Sequence, residues 1–188
     1  MTKAERTRER ILQSAARLFR RHGYNGVGID AIMKGAKLTR GGFYAHFRSK
    51  EALFVAVLRR ELGFTEQLRR AQDAPSEDDA RARALYAIQV YLDPDYSERI
   101  ARGCTMASNV ADIARSGVRA RRAFTRAFRD LATEFETLVV GDDAETRALV
   151  AVATCVGAIS LARSLADEEL ARSLLAASTE KVLEVLGY

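Results

Sequence analysis

The chain has 188 residues, 48% of them hydrophobic and 29% charged, and a formal net charge of +5, which suits a globular protein with a sizeable core. Two prolines and no run of alternating β-branched residues argue against a sheet and for an all-α fold. Two cysteines without CxxC spacing and two distant histidines, His22 and His46, leave too few ligands for a metal site or a catalytic triad. No metal, cofactor or enzyme activity is therefore expected, and a reduced, cytoplasmic setting fits the thiols. No charged-then-apolar leader opens the sequence, so no signal peptide is read. The most apolar stretch, Ala148 to Ala162, falls short of the ~18 residues of a membrane span and is expected to be a buried helix.

Charge is unevenly distributed. Residues 1–50 hold 12 Lys+Arg against 3 Asp+Glu, a net of +9, while residues 51–188 hold 18 against 22, a net of −4. A basic N-terminal quarter on a mildly acidic remainder is the footprint of a phosphate-binding head on a separate platform. A membrane-surface head is the rival, but the basic residues alternate with a core stripe and do not face bulky exposed apolar residues.

In chain order, the first element is an amphipathic helix with Ile11, Ala15, Leu18 and Phe19 inward and Arg17, Arg20 and Arg21 outward, closed by Gly23 as an αL cap. Lys3 and Arg6, near its frayed start, reach phosphate or remain solvated. Ile29, Ile32 and Met33 recur at i, i+3, i+4 and mark a short second helix. Gly35-Ala36-Lys37-Leu38 breaks that pattern, and Thr39 is placed to N-cap a further short helix from Arg40, with Phe43 and Phe47 inward. Two short helices crossing through a tight turn, with a basic and hydroxyl-bearing outer face, describe a helix-turn-helix whose second member lies in the major groove.

The segment LTRGGFYAHFRSKEALF, Leu38 to Phe54, resembles the signature of the TetR family of bacterial transcriptional regulators. The match is dense over roughly the first fifty-five residues; beyond them the likeness is one of length and helical texture. Lys37 stands where the family usually has Gly, and a positive φ there would strain a lysine. The resemblance implies DNA contacts from Gly28, Thr39, Arg40, Gly41, Gly42, Tyr44, His46 and Lys50. Arg40 is placed either to bond a guanine edge or to meet a phosphate, Tyr44 and His46 to bond phosphates, and Lys50 to add charge at a helix N-terminus. Two adjacent glycines in a helix cost roughly 1 kcal/mol each relative to Ala. Close approach of the backbone to DNA is the simplest compensation.

Ser49 caps the next helix, with Glu51 in its first turn and Ala52, Leu53, Val57 and Leu58 at helical spacing, running on through Phe64 and Leu68. Asp73 to Asp79 interrupts, with Ser76 as an N-cap. Leu85, Ile88 and Leu92 mark a helix closed by Pro94. Further helices start at Arg102-Gly103-Cys104, run along the stripe Phe124, Phe128, Leu131, Phe135 and Leu138, start again after Asp142-Asp143, and end the chain from Glu168 to Leu186.

The expected organisation is an N-terminal three-helix, helix-turn-helix DNA-binding domain at 1–48 and a C-terminal helical ligand-binding and dimerisation domain at 49–188. Thr154, Gly157, Ala158, Leu161 and Ser164 give the penultimate helix a close-approach side, so the last two helices are expected to pair two copies on a palindromic site in double-stranded DNA. The resemblance implies a repressor released by a small-molecule effector. Phe64, Leu68, Tyr86, Tyr91, Met106, Asn109, Phe124 and Phe128 are candidates to line its pocket, though each also suits plain core. The alternative is a helix-turn-helix or helical interaction protein without small-molecule input. Gly103-Cys104 resembles a pair found in a subgroup of the family; a thiol at a helix start near Arg99 and Arg102 would favour thiolate and sense oxidants or electrophiles, against the plainer reading of a small residue at a tight turn. No membrane partner is expected.

Overall fold

The structure, a computed structural model, describes residues 1–60, 80–92 and 105–188. All regular structure in them is helical, as expected: α1 (Lys3–His22), α2 (Ile29–Gly35), a 3-10 turn (Arg40–Gly42), α3 (Lys50–Arg60), α4 (Ala80–Tyr91), α5 (Thr105–Ala114), α6 (Val118–Glu136), α7 (Ala144–Ala162) and α8 (Glu168–Leu186). Phe64, Leu68, the Asp73 to Asp79 interruption, Pro94 and the Arg102-Gly103-Cys104 start lie outside the described residues. The chain clusters into two compact units, Met1–Leu62 with Ile100–Ala127, and Gly63–Arg99 with Phe128–Tyr188.

In the first unit, α1 begins with a capping box: Thr2 Oγ1 accepts from Glu5 N at 3.1 Å, and Glu5 Oε2 accepts from Thr2 N at 2.7 Å. The start is therefore pinned where fraying was expected. Its end also differs from expectation, since Gly23 has φ 70 and ψ 167, outside the αL region and open in practice to glycine alone. Ile11, Leu12, Ala15, Ala16 and Phe19 of α1 are buried against Ile32 and Met33 of α2 and Leu53, Phe54, Val57 and Leu58 of α3. Phe19 meets Phe54 edge-on at 5.2 Å, and Tyr24 folds back to 4.5 Å from Phe54, closing the aromatic centre. Ser14, which the pattern gave no role, donates to Ile32 O at 2.8 Å inside the core and ties α1 to α2. Ser49 Oγ accepts from Ala52 N at 3.0 Å, the expected cap of α3.

The second unit is built on the α7–α8 pair, with Ala148, Ala151, Val152, Cys155 and Ile159 of α7 and Leu175, Val182, Leu183 and Leu186 of α8 buried. Asp167 Oδ1 accepts from Glu169 N and Leu170 N, both at 3.0 Å, to start α8, and Gly187 at φ 101 ends it. Arg147 donates to Val185 O at 2.6 Å and to Val140 O at 2.7 Å, fastening the head of α7 to the tail of α8. Asp143 caps α7 by position only, in the left-handed region at φ 58 and with no side-chain cap bond.

The expectation that α7 is a buried helix needs correction. By length and composition it is the one helix among the described residues apolar enough to cross a membrane, yet only 33% of its most apolar window is buried. Leu149, Val150 and Leu161 are exposed, the last at 59%. Ala153 is exposed too, and Gly157 has nothing within 4 Å of where a Cβ would stand. Among the described residues this apolar flank of α7 is uncovered.

Candidate nucleic-acid interface

The turn after α2 sets the pose of the candidate reading segment. Lys37 adopts φ 55, the left-handed conformation foreseen for a position where a glycine would be unstrained. Its cost is offset locally, because Arg10 of α1 donates to Ala36 O at 2.6 Å and Lys37 O at 3.2 Å, tying α1 to the exit of α2. Leu38 N bonds back to Met33 O at 2.9 Å. The chain then enters the segment with Thr39 extended.

The expected helix from Arg40 forms only in pieces. Arg40–Gly42 is a single 3-10 turn, with Gly42 N on Thr39 O and Phe43 N on Arg40 O, followed by a second turn closed by His46 N and Phe47 N on Phe43 O. The Thr39 hydroxyl makes no cap bond. Gly41 and Gly42 supply no side chain to hold a regular turn, so the segment is fixed by its aromatic anchors. Phe43 and Phe47 are buried, their rings 6.0 Å apart, and Phe43 meets Tyr44 edge-on at 5.2 Å.

Gly28, Thr39, Arg40, Gly41 and Tyr44 are exposed, Tyr44 at 62%, while Gly42 and His46 are half-buried. These residues share the outer surface of α2's start and of the segment. Gly28 is the N-cap of α2 with no side-chain bond. A Cβ on Gly41 would meet nothing within 4 Å, and one on Gly42 only Met33 Cε at 3.7 Å; neither has a positive φ. Neither φ nor the space among the described residues requires glycine at either place. Arg40 pairs with Asp30 at 2.9 Å, both side chains about two-thirds exposed, and such a surface pair is worth about 0–1 kcal/mol, leaving the guanidinium easy to recruit.

Lys50 is engaged within the head. Its Nζ stands 4.4 Å over the Tyr24 ring; burial lowers its pKa, partly opposed by Asp112. Burial, then Glu51 and Asp112, raise that of Tyr24. Asp112 of α5 is the partner that sequence reasoning missed. Its Oδ2 accepts from Tyr24 N at 2.6 Å and Asn25 N at 3.3 Å, and its Oδ1 from Asn25 Nδ2 at 3.1 Å. Being the one charged residue in its helix was its only signal; a partner 88 residues away has no sequence trace.

Of the candidate pocket residues, Met106, Asn109 and Phe124 belong to the first unit and Tyr86, Tyr91 and Phe128 to the second. Met106 and Asn109 are buried on α5. Asn109 Nδ2 donates to Thr105 O at 3.0 Å, and its Oδ1, fully enclosed, meets no donor among the described residues. Phe124, half-buried, packs against the first unit's core. Tyr86, exposed, lines a cleft of about 620 Å³ between α4 and α8 with Gln89, Leu175 and Thr179; Tyr91 is buried and Phe128 half-buried. Among the described residues no three His, Cys, Asp or Glu side chains group as metal ligands.

A packed three-helix head carrying a turn and an exposed glycine-bearing segment, in an all-helical chain, defines a helix-turn-helix protein with a helical companion unit. Residues 11–57 match the family model for bacterial regulatory proteins of the tetR family. The sequence is 31% identical over 107 residues to the HTH-type transcriptional repressor NemR of Escherichia coli K12, covering 57% of this chain and 54% of NemR. The chain thus spans about half the length of the curated relatives it matches. In fold it is similar to the crystal structure of reduced E. coli NemR (TM-score 0.77, 23% identity, 94% of each chain). A TetR-family regulator from Cytophaga hutchinsonii is also similar in fold (TM-score 0.81, 21% identity, covering 99% of this chain and 96% of that one). In sequence over residues 11–57, and in fold over nearly its whole length, the chain is thus similar to bacterial regulators of the tetR family.

Proposed function

We propose that this protein is a sequence-specific, double-stranded-DNA-binding repressor that acts as a homodimer on a palindromic operator, in the cytoplasm and away from the membrane, and lets go when a small-molecule effector binds. The observation that carries the reading is the Gly41-Gly42 pair, the first exposed and the second half-buried, demanded neither by φ nor by internal space, beside Arg40 and Tyr44 on a head of net charge +9 over residues 1–50. A backbone bared in this way suits a surface that must come within contact distance of a groove. NemR, over the aligned portion, is named a repressor. Residues 1–48 read DNA, and residues 49–188 hold the effector and the partner copy.

Within that head, Arg40 addresses a base edge, Thr39, Tyr44 and His46 address phosphates, and Gly28 lets the start of α2 approach the backbone. Lys50 serves by orienting Tyr24 as much as by its charge. The second copy covers the open flank of α7 with α8 alongside, since an exposed Leu161 beside Gly157 gives a knob next to a space. Asn109 is the polar handle for the effector: an enclosed carbonyl oxygen without a donor among the described residues favours a ligand that brings an N–H or O–H. Cys104 is a second route of release, by a reactive effector, and the likeness to a protein crystallised in a reduced form supports testing it.

The test is selection of bound sequences from random duplex DNA. A recovered palindrome, lost with Arg40→Ala at one position of each half-site, supports the reading. Recovery of no preferred sequence sinks it. Release unchanged in Cys104→Ser on treatment with electrophiles removes the thiol route alone.

A further inference from the structure

A second group of cations lies on the head beyond the residues assigned above. Arg8 of α1, Arg48 just before α3 and Arg59 near its end, together with His46, rim a cleft of about 530 Å³. The floor is apolar: Leu12, Phe47 and Val55 line it and are buried. Arg8 Cζ stands 4.9 Å from the centroid of the Phe47 ring and holds that side of the rim in place. No acidic side chain is among the residues lining the cleft, and the three arginines are exposed.

Positive groups gathered around one apolar floor repel one another and contribute nothing to the fold that scattering them would not. The arrangement makes sense for a ligand that is itself extended, repeatedly anionic, and apolar between its charges. A phosphodiester backbone has that pattern, with deoxyribose between phosphates. A small anion would satisfy one or two of the cations and leave the floor wet. His46 belongs both to this rim and to the outer surface of the reading segment, so the two surfaces are continuous.

We propose that the Arg8–Arg48–Arg59 cleft seats the phosphate backbone of duplex DNA flanking the base pairs that the head reads, lengthening the footprint without adding sequence information. The proposal rests on the DNA-binding function proposed above, and the two fail differently.

The experiment compares two duplexes carrying the selected palindrome, one trimmed to it and one extended by about one helical turn of random sequence on each side. Wild-type full-length protein is expected to bind the extended duplex several-fold more tightly. Arg59→Gln and Arg48→Gln should each remove much of that advantage, leave the preferred sequence unchanged, and lower the slope of log affinity against log salt by about 0.9 for each phosphate that is no longer neutralised. Arg59→Gln leaves the Arg8–Phe47 pair in place, and an unchanged melting curve separates its effect from misfolding. Equal binding of the two duplexes by wild type, or a length advantage that survives in the double variant, overturns the cleft proposal while leaving the proposed function standing. Failure of wild type to retain any duplex at low salt overturns both. Loss of affinity for anionic phospholipid vesicles in Arg59→Gln, with both duplexes bound as before, assigns the cleft to a lipid surface and also overturns it.

Discussion

The three-helix head and the α7–α8 pair reach burial by opposite routes. In the head, large rings do the filling: Phe19, Tyr24, Phe43, Phe47 and Phe54 converge from four segments, and no helix there keeps an apolar face open. In the α7–α8 pair no ring is buried: α7 buries Ala148, Ala151, Ala158 and Ala162 with only Val152, Cys155 and Ile159 larger, and α8 buries Leu175, Val182, Leu183 and Leu186. Small residues let two helices approach closely, but they bury little area each, and the far flank of α7 remains apolar and uncovered. One region is complete within a single chain. The other keeps an apolar flank exposed, and the cover proposed here is a second copy.

That contrast can be broken by substitution, beginning where the effect is greatest. Phe54→Ala removes a fully buried ring in contact with both Phe19 and Tyr24 and should cost about 3–5 kcal/mol, unfolding the head in urea well before the wild type. If loss of that ring cost under a kilocalorie, the head's aromatic centre would not be its keystone. Leu161→Glu, on the open flank of α7, should leave helical content intact and convert a sedimenting dimer to monomer. A dimer of undiminished mass would place the partner elsewhere. Asp112→Ala strips Tyr24 N and Asn25 N of their acceptor and should destabilise by about 1–3 kcal/mol in urea titration, with faster amide exchange confined to the turn after α1. The smallest effect has the opposite sign: Lys37→Gly relieves a left-handed lysine and should raise stability by about 1 kcal/mol, readable as a higher melting temperature. A fall would mean that the turn is held by the lysine side chain and not in spite of it.

Local chemistry made much of this readable from the sequence. Apolar spacing found α1, α2 and the inward Phe43 and Phe47, and Ser49 announced α3, whereas the positive φ at Lys37 was raised only by the family resemblance, which places Gly there. What escaped were features decided by distant partners or by the surroundings of a backbone. Asp112 looked like one acid on a helix until the fold set it on the amides of Tyr24 and Asn25. Gly23 signalled a helix stop, but not that its ψ would leave the αL region. The double glycine was read as a cost within a helix, whereas the helix itself gave way to a 3-10 turn. The apolar run of α7 was read as a buried helix with a small-residue side for a second copy, and composition did not show that Leu149 and Val150 would be exposed as well.

The most direct measurement is the stoichiometry and symmetry of the DNA complex, by analytical ultracentrifugation of the full chain with a duplex recovered by selection. Two chains per duplex on a palindrome, with half-sites about one helical turn apart, is the predicted result. One chain on an asymmetric site, or a selection that returns no common sequence, would contradict it.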